Sequence, residues 1–308
     1  MSSYKNLILI TNISVLLFPI PFFNKNAYNS LIDHAIPTNK EIEFKINNVV
    51  GDFDIPDISG PVTNLPWRNN KDFLKAKEKY DTPNLLAAFC SVLKNPLPGE
   101  EYNVSFASKN ITGKVIKANK EFSQNATIGP YINSKGYKTG ASYSGGEIIM
   151  TEGGGVCKIA TTLYKLVALS DLEVIERHNH SMPINYVPYG QDASVAYGIK
   201  DFRFKNTTDG DILIWAELIG NRLYMGFYGN GTPPKVEWNH ETTNIVEPSV
   251  KYIKTETLEK GEMNVRVAGM NGANIKSSLT IIYNDGTVKT KKMKDSNYIP
   301  LPRIIEIN

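Results

Sequence analysis

The chain has 308 residues and a mass of 34.3 kDa, enough at roughly 150 residues per domain for about two domains. An apolar fraction of 41% with 21% charged residues excludes wholesale disorder, and 34 Lys and Arg against 31 Asp and Glu, net +3, does not mark a nucleic-acid binder. Two cysteines, Cys90 and Cys157, exclude a disulfide-stapled scaffold and a four-cysteine zinc site, and four histidines leave little room for a multi-metal centre.

Residues 1–28 open with Lys5, and residues 6–24 then carry no charge. A basic start before an apolar core predicts a secretory signal or an N-terminal membrane anchor. Pro19 and Pro21 argue against a buried core helix there. Triplets such as Asn103-Val-Ser105 and Asn179-His-Ser181 would invite glycans in a eukaryotic secretory route, which favours a bacterial cell surface. Residues 29–110 read as loops and short strands with one amphipathic helix. Thr82 is its expected N-cap, Pro83 its first residue, and Leu85, Leu86, Phe89, Val92 and Leu93 its buried face. Cys90 on that helix reads as a small buried hydrophobe.

A domain over 111–230 follows. Ile111, Val115, Ile116 and Phe122 suggest strands, and glycines then crowd the text up to Gly153-Gly154-Gly155. The clearest helix of the chain begins there, with Val156, Ile159, Ala160, Leu163, Leu166 and Val167 in one stripe and Asp171 just past its end. Strand-like segments come next (LEVIERH, DASVAYGI, DFRFKN), then a hairpin turning at Ile219-Gly220-Asn221. This order predicts an α+β fold, an antiparallel meander packed against a central helix that starts at Cys157. Residues 231–250 have linker composition, and 251–308 read as a small all-β tail with a hairpin at Asn284-Asp285-Gly286.

The chemistry gathers where the glycine loop meets that helix. At a helix N-terminus, unpaired N–H groups and the positive dipole end favour a thiolate at Cys157 and can hold an oxyanion. A thiolate nucleophile needs a base. His178 and His180, two apart on the next expected strand, share a face if it is regular, and Asp192 can orient one of them. A buried structural thiol with two surface histidines fits the same residues, and so does a Cys157/His178/His180 metal site, although no H-E-x-x-H or carboxylate pattern supports a metal. No cofactor is indicated, since the glycine run lacks the Lys-Ser/Thr of a phosphate loop.

The stretch GGGVCKIATTLY followed by ERHNHSMPINYVPYGQDASVAYGIKDFRFKN resembles the core signature of the VanW family, named for an accessory gene of glycopeptide-resistance clusters. FSQNATIGPY and KGYKTG upstream look like its FSFN-x-x-x-G-P and RGYK segments, and the tail ending SNYIPLPRIIEIN is similar to G5-type wall modules. Lys158 and Ala160 depart from the Gln and Ser usual in the family, and residues 118–121 from its Pro-Gly-Glu. The resemblance implies peptidoglycan stem peptides as partners and a cysteine-dependent L,D-transpeptidase that makes 3-3 cross-links. Cys157 would be the nucleophile, His180 the base with His178 as substitute, and Asp192 the orienting acid. Gly154, Gly155, Lys158, Thr161, Thr162, Arg177 and Ser181 would line the substrate, Arg177 as a carboxylate clamp. The protein would be exported to the bacterial cell surface, held at the cytoplasmic membrane if the N-terminal segment is retained. A cysteine peptidase acting on stem peptides, or a non-catalytic wall-binding accessory protein, is the competing expectation.

Overall fold

A computed structural model describes residues 53–144 and 147–308. The expected export segment, 1–28, and the loops expected up to residue 52 lie outside the described residues. In chain order the elements are β1 (Gly60–Pro61), α1 (Lys71–Lys79), β2 (Asn84–Val92), α2 (Glu100–Ile111), β3 (Val115–Ile116), β4 (Glu121–Ser123), α3 (Gln124–Ile128), β5 (Thr139–Ser144), β6 (Glu147–Glu152), α4 (Cys157–Leu169), β7 (Glu173–Glu176), β8 (Arg203–Lys205), β9 (Ile212–Ile219) and β10 (Arg222–Gly229). The C-terminal part adds β11 (Lys235–Val246), β12 (Val250–Lys254), β13 (Met263–Val267), β14 (Gly272–Ile282), β15 (Val288–Lys292), β16 (Ser296–Tyr298) and β17 (Arg303–Ile307). The fold is α+β. Among the described residues no helix is long and apolar enough to cross a membrane.

The largest sheet is antiparallel, in the order β1-β2-β10-β9-β3. Its β9–β10 hairpin lies where the sequence placed it. Its other long strand does not. The segment expected as a helix from Thr82 is β2, paired with β10 on one side and β1 on the other. The two faces of β2 serve two separate cores: Ala87 and Phe89 join one, Ala88, Cys90 and Val92 the other. A strand buried on both faces is an unbroken apolar run, and such a run satisfies three- and four-residue spacing by default. The helices of this region are α1 and α2. In α1, Asn70 caps the chain by accepting from the Asp72 and Phe73 N–H groups at 2.9 and 3.0 Å, and Phe73 packs against Trp67, Trp215 and Tyr228. The expected order of helix first and meander after is corrected too, since β1 and β2 enter the sheet from upstream of α4.

Helix α4 packs on β2 and β10, and every residue from Ile159 to Ala168 is buried. A helix buried around its whole circumference is gripped from several sides. Here the further sides are α2, β7 and β11. Strand β11 occupies most of the span expected as a linker. Val236 and Trp238 alternate with exposed Glu237 and Asn239, and Trp238 stacks edge-on against Tyr164 of α4. The period-2 signal was present but short, between a Gly-Pro-rich start and a polar run. In the tail, β14 pairs with β11, β15 and β16, while β17 lies between β12 and β13.

Candidate active site

The glycine loop brings Cys157 to the surface by backbone contacts that side chains would prevent. Gly154 lies against the Gly140 backbone, where an added Cβ would come within 2.5 Å of the Gly140 carbonyl carbon and oxygen. Gly155 has φ +103°, open to glycine at no steric cost, and the Glu100 side chain would meet any Cβ there. Asn103, buried on α2, ties the loop down by donating to Gly154 O at 2.9 Å and Lys138 O at 2.8 Å.

Cys157 is half-buried at the first position of α4. Strand β7 ends at Glu176, so His178 and His180 lie on a loop rather than the expected strand, and they do not share a face. His178 turns to Glu176, with Nε2 2.9 Å from Oε1. His180 turns inward: its Nδ1 lies 2.6 Å from Asp192 Oδ2, and its ring is close enough to the Cys157 sulfur for the two to shift each other's titration. The His180 backbone N–H also donates to Asp192 Oδ2, at 2.7 Å. The structure therefore brings Cys157, His180 and Asp192 together and leaves His178 outside. Residues 192–199, expected as a strand, form only an isolated bridge between Ala196 and Lys200. Their backbone is held instead by the site: Ala193 N–H donates to Thr161 Oγ1 at 3.0 Å, Ser194 N–H to His178 O at 2.8 Å, and Val195 N–H to Cys157 Sγ at 3.4 Å.

The electrostatics follow from these contacts. Burial pushes the Cys157 thiol up, but the hydrogen bond and charge of His180, with the Val195 N–H, outweigh it and leave the thiol below its ordinary value. Burial opposes a charged His180 ring as well, yet its bonds to Asp192 and Cys157 raise it to about 9. Asp192 is lowered to about 2, burial being overcome by His180 and Arg177. These contacts favour a thiolate beside an imidazolium over the neutral pair. The expected role of the helix N-terminus is modified: Lys158 and Ile159 N–H bond back to Gly155 O and Val156 O, both at 3.0 Å, and the sulfur accepts from Val195 N–H.

Among the described residues, no cluster of His, Cys, Asp and Glu could hold a metal ion. Residues 99–228 match the family model described as VanW like protein. Over that stretch the chain is similar to the family. YoaR of Bacillus subtilis (strain 168), an uncharacterized protein by its description, is 32% identical over 145 residues, 47% of this chain and 48% of its own length. The vancomycin B-type resistance protein VanW of Enterococcus faecalis (strain ATCC 700802 / V583) is 23% identical over 158 residues, 50% of this chain and 55% of its own. The matched regions thus span about half of each relative. Of solved structures, an IgA1 protease G5 domain aligns with 24% of this chain and 90% of itself, at 21% identity and a TM-score of 0.16.

The family match begins at residue 99, upstream of the expected domain start at 111, and takes in all of α2. Several residues expected to line the substrate are committed inside it. Arg177 is buried, with Nε on Asp192 O at 2.7 Å, Nη1 on Ser296 Oγ at 2.7 Å, and Nη2 on Asp192 Oδ1 at 3.0 Å and Gly190 O at 3.3 Å. It is a brace for Asp192, not a clamp for a ligand. Thr161 and Thr162 are fully buried; Thr161 bonds Ala193 O and the Tyr186 hydroxyl, and Thr162 bonds Ser91 Oγ and Lys158 O. Lys158 pairs with Glu100 and lies over the Tyr186 ring at 4.7 Å, and burial lowers it to about 7. Held by Glu100 and the Tyr186 ring, Lys158 is not a free hand for a carboxylate. Ser181 is exposed, and its carbonyl accepts from Ile299 N–H at 2.8 Å.

Other residues at the site left little mark in the sequence. Gln124 is fully buried, its Nε2 3.4 Å from Val156 O and its Oε1 without a partner among the described residues. Tyr131, near enough to Cys157 for their charges to interact, donates to Asn125 Oδ1 at 2.9 Å. Both belong to the FSQNATIGPY stretch, so only the resemblance pointed to their neighbourhood.

Proposed function

We propose that the chain is a cell-wall enzyme that transfers an acyl group through Cys157, an L,D-transpeptidase acting on peptidoglycan stem peptides outside the cell. The observation that carries this reading is the gathering of Cys157, at the start of α4, with a His180 ring whose Nδ1 is held by Asp192. The likeness to the VanW family supports it by direction: the relative named for vancomycin resistance suggests a cell-wall-related or resistance accessory role. In the proposed reaction the Cys157 thiolate attacks the carbonyl of the donor's third residue, and the tetrahedral intermediate collapses to a thioester. The bond to D-Ala breaks as His180 protonates its departing amine. An acceptor amine then attacks the thioester, gives its proton to His180 and releases the thiolate, leaving a 3-3 amide. Water in place of the amine makes the same site a peptidase. Asp192 keeps the His180 Nε2 turned toward the sulfur and stabilises the imidazolium.

The test incubates the protein with disaccharide-tetrapeptides and follows D-Ala release and dimer formation by mass spectrometry. Both are expected from wild type and from neither Cys157→Ala nor His180→Ala. If Cys157→Ala gives the wild-type product profile, the enzymatic reading is wrong, and a docking role on the wall takes its place.

A further inference from the structure

Four consecutive residues of the C-terminal part, beyond residue 228 where the family match ends, grip the loop that carries His180 and Asp192. Strand β16 is itself anchored to β14, with Ser296 opposite Ile275 and Tyr298 opposite Ala273. From it, the Ser296 hydroxyl oxygen accepts from Arg177 Nη1 at 2.7 Å. Asn297 O accepts from Asn179 Nδ2 at 2.8 Å, and Ile299 N–H donates to Ser181 O at 2.8 Å. The buried Tyr298 hydroxyl donates to Asp192 Oδ1 and accepts from Gly190 N–H at 2.8 Å.

The consequence for Asp192 is specific. Its carboxylate takes two donors on each oxygen: His180 Nδ1 and backbone N–H on Oδ2, Arg177 and Tyr298 on Oδ1. Residues 177–195 contain no strand or helix, so their polar groups need partners from elsewhere. A carboxylate on such a loop keeps one oxygen toward an imidazole only while the other is pinned. Taking Cys157 as the nucleophile, we propose that Tyr298 and Ser296 are positioning residues of the active site, so that the C-terminal β-segment completes the Cys157–His180–Asp192 constellation. Arg177, His180 and Tyr298 face Asp192 directly, and Cys157, Tyr164 and Tyr186 are further titratable groups that feel its charge.

The experiment uses the full chain and Tyr298→Phe, which keeps the ring packed on Tyr189 at 5.2 Å and removes only the hydroxyl. The control is Tyr189→Phe, which removes a bond to the Asn271 carbonyl in the same interface without touching Asp192. Two readings are taken across pH: the rate of Cys157 alkylation by iodoacetamide, and kcat/KM with the tetrapeptide donor. Tyr298→Phe is expected to lower kcat/KM by about 10- to 100-fold, the worth of a hydrogen bond to a charged group. It is also expected to move the alkaline limb of kcat/KM down from about 9 and the thiol titration up. Ser296→Ala should do the same more weakly through Arg177, and Tyr189→Phe should move neither limb. Wild-type titrations in Tyr298→Phe, or equal shifts in Tyr298→Phe and Tyr189→Phe, overturn the positioning role while leaving the nucleophile in place. A wild-type Cys157 that alkylates as an ordinary thiol, or activity in Cys157→Ala, overturns the nucleophile itself.

Discussion

Replacing Arg177 by Met separates a brace from a clamp. In the structure the guanidinium makes four hydrogen bonds, two of them to Asp192, and lies with its carbon 5.0 Å from the centre of the Tyr164 ring. Met fills much of the stem's volume but leaves Asp192 Oδ1 with Tyr298 alone and strips donors from Gly190 O and Ser296 Oγ. Removing one partner of a buried ion pair typically costs about 3–5 kcal/mol, because the other charge stays buried without it. At roughly 2–4 °C per kcal/mol for a domain of this size, the melting temperature should fall by roughly 6–20 °C. Differential scanning calorimetry measures the fall, and urea unfolding checks it through the midpoint at constant slope. A clamp predicts the opposite split: unchanged melting and a raised KM for substrates with a free carboxylate. If the variant melts within about 2 °C of wild type, the brace is wrong.

With Cys157 acting as proposed, the thiolate–imidazolium pair sets the pH dependence of kcat/KM. Activity needs the thiolate, so it falls as pH drops through the lowered Cys157 value, and it needs the His180 proton for the leaving amine, so it falls again above about 9; an alkaline limb near 7 would contradict the geometry. Gly154→Ala should destabilise by about 1–3 kcal/mol in thermal unfolding, because its Cβ meets Gly140 backbone rather than a movable side chain. Lys165 is buried between Phe89 and Trp238 and donates to the Gln191 side-chain oxygen, and burial lowers it to about 7. The unfolded chain keeps that proton up to 10.5, so folding should become more favourable as pH rises from about 7 to 10.5, and Lys165→Met should remove part of that slope in urea titrations.

Legibility in the sequence tracked how local the determining physics was. The β9–β10 hairpin and helix α4 carry their own signals, alternation around a Gly-Asn turn and a long apolar stripe after glycine, and both stand where those signals place them. Strand β2 depends on what covers it. Its two faces belong to two cores built by distant residues, Trp67 and Tyr224 on one side and Ile159 and Leu163 on the other, and nothing within nine residues announces that. Strand β11 similarly rests on Tyr164 and on β14, about 40 residues further along the register.

At the site the same division separates reacting atoms from their supports. The structure brings Cys157, His180 and Asp192 together, and the sequence could single them out because the residue types concerned are scarce here: two cysteines and four histidines in 308 residues. Choosing His180 over His178 required the resemblance, since both sit in the same short segment and only the loop's path turns one inward. Arg177 shows why the supporting residues misread. An arginine beside a histidine pair looks like a hand held out to an anion, and the anion it meets is Asp192, 15 positions on in its own chain. An acid that orients a base must be buried to be effective, and a buried acid consumes nearby donors. Here Arg177 and Tyr298 are consumed in that way, so the arginine nearest the histidine pair is spent on Asp192.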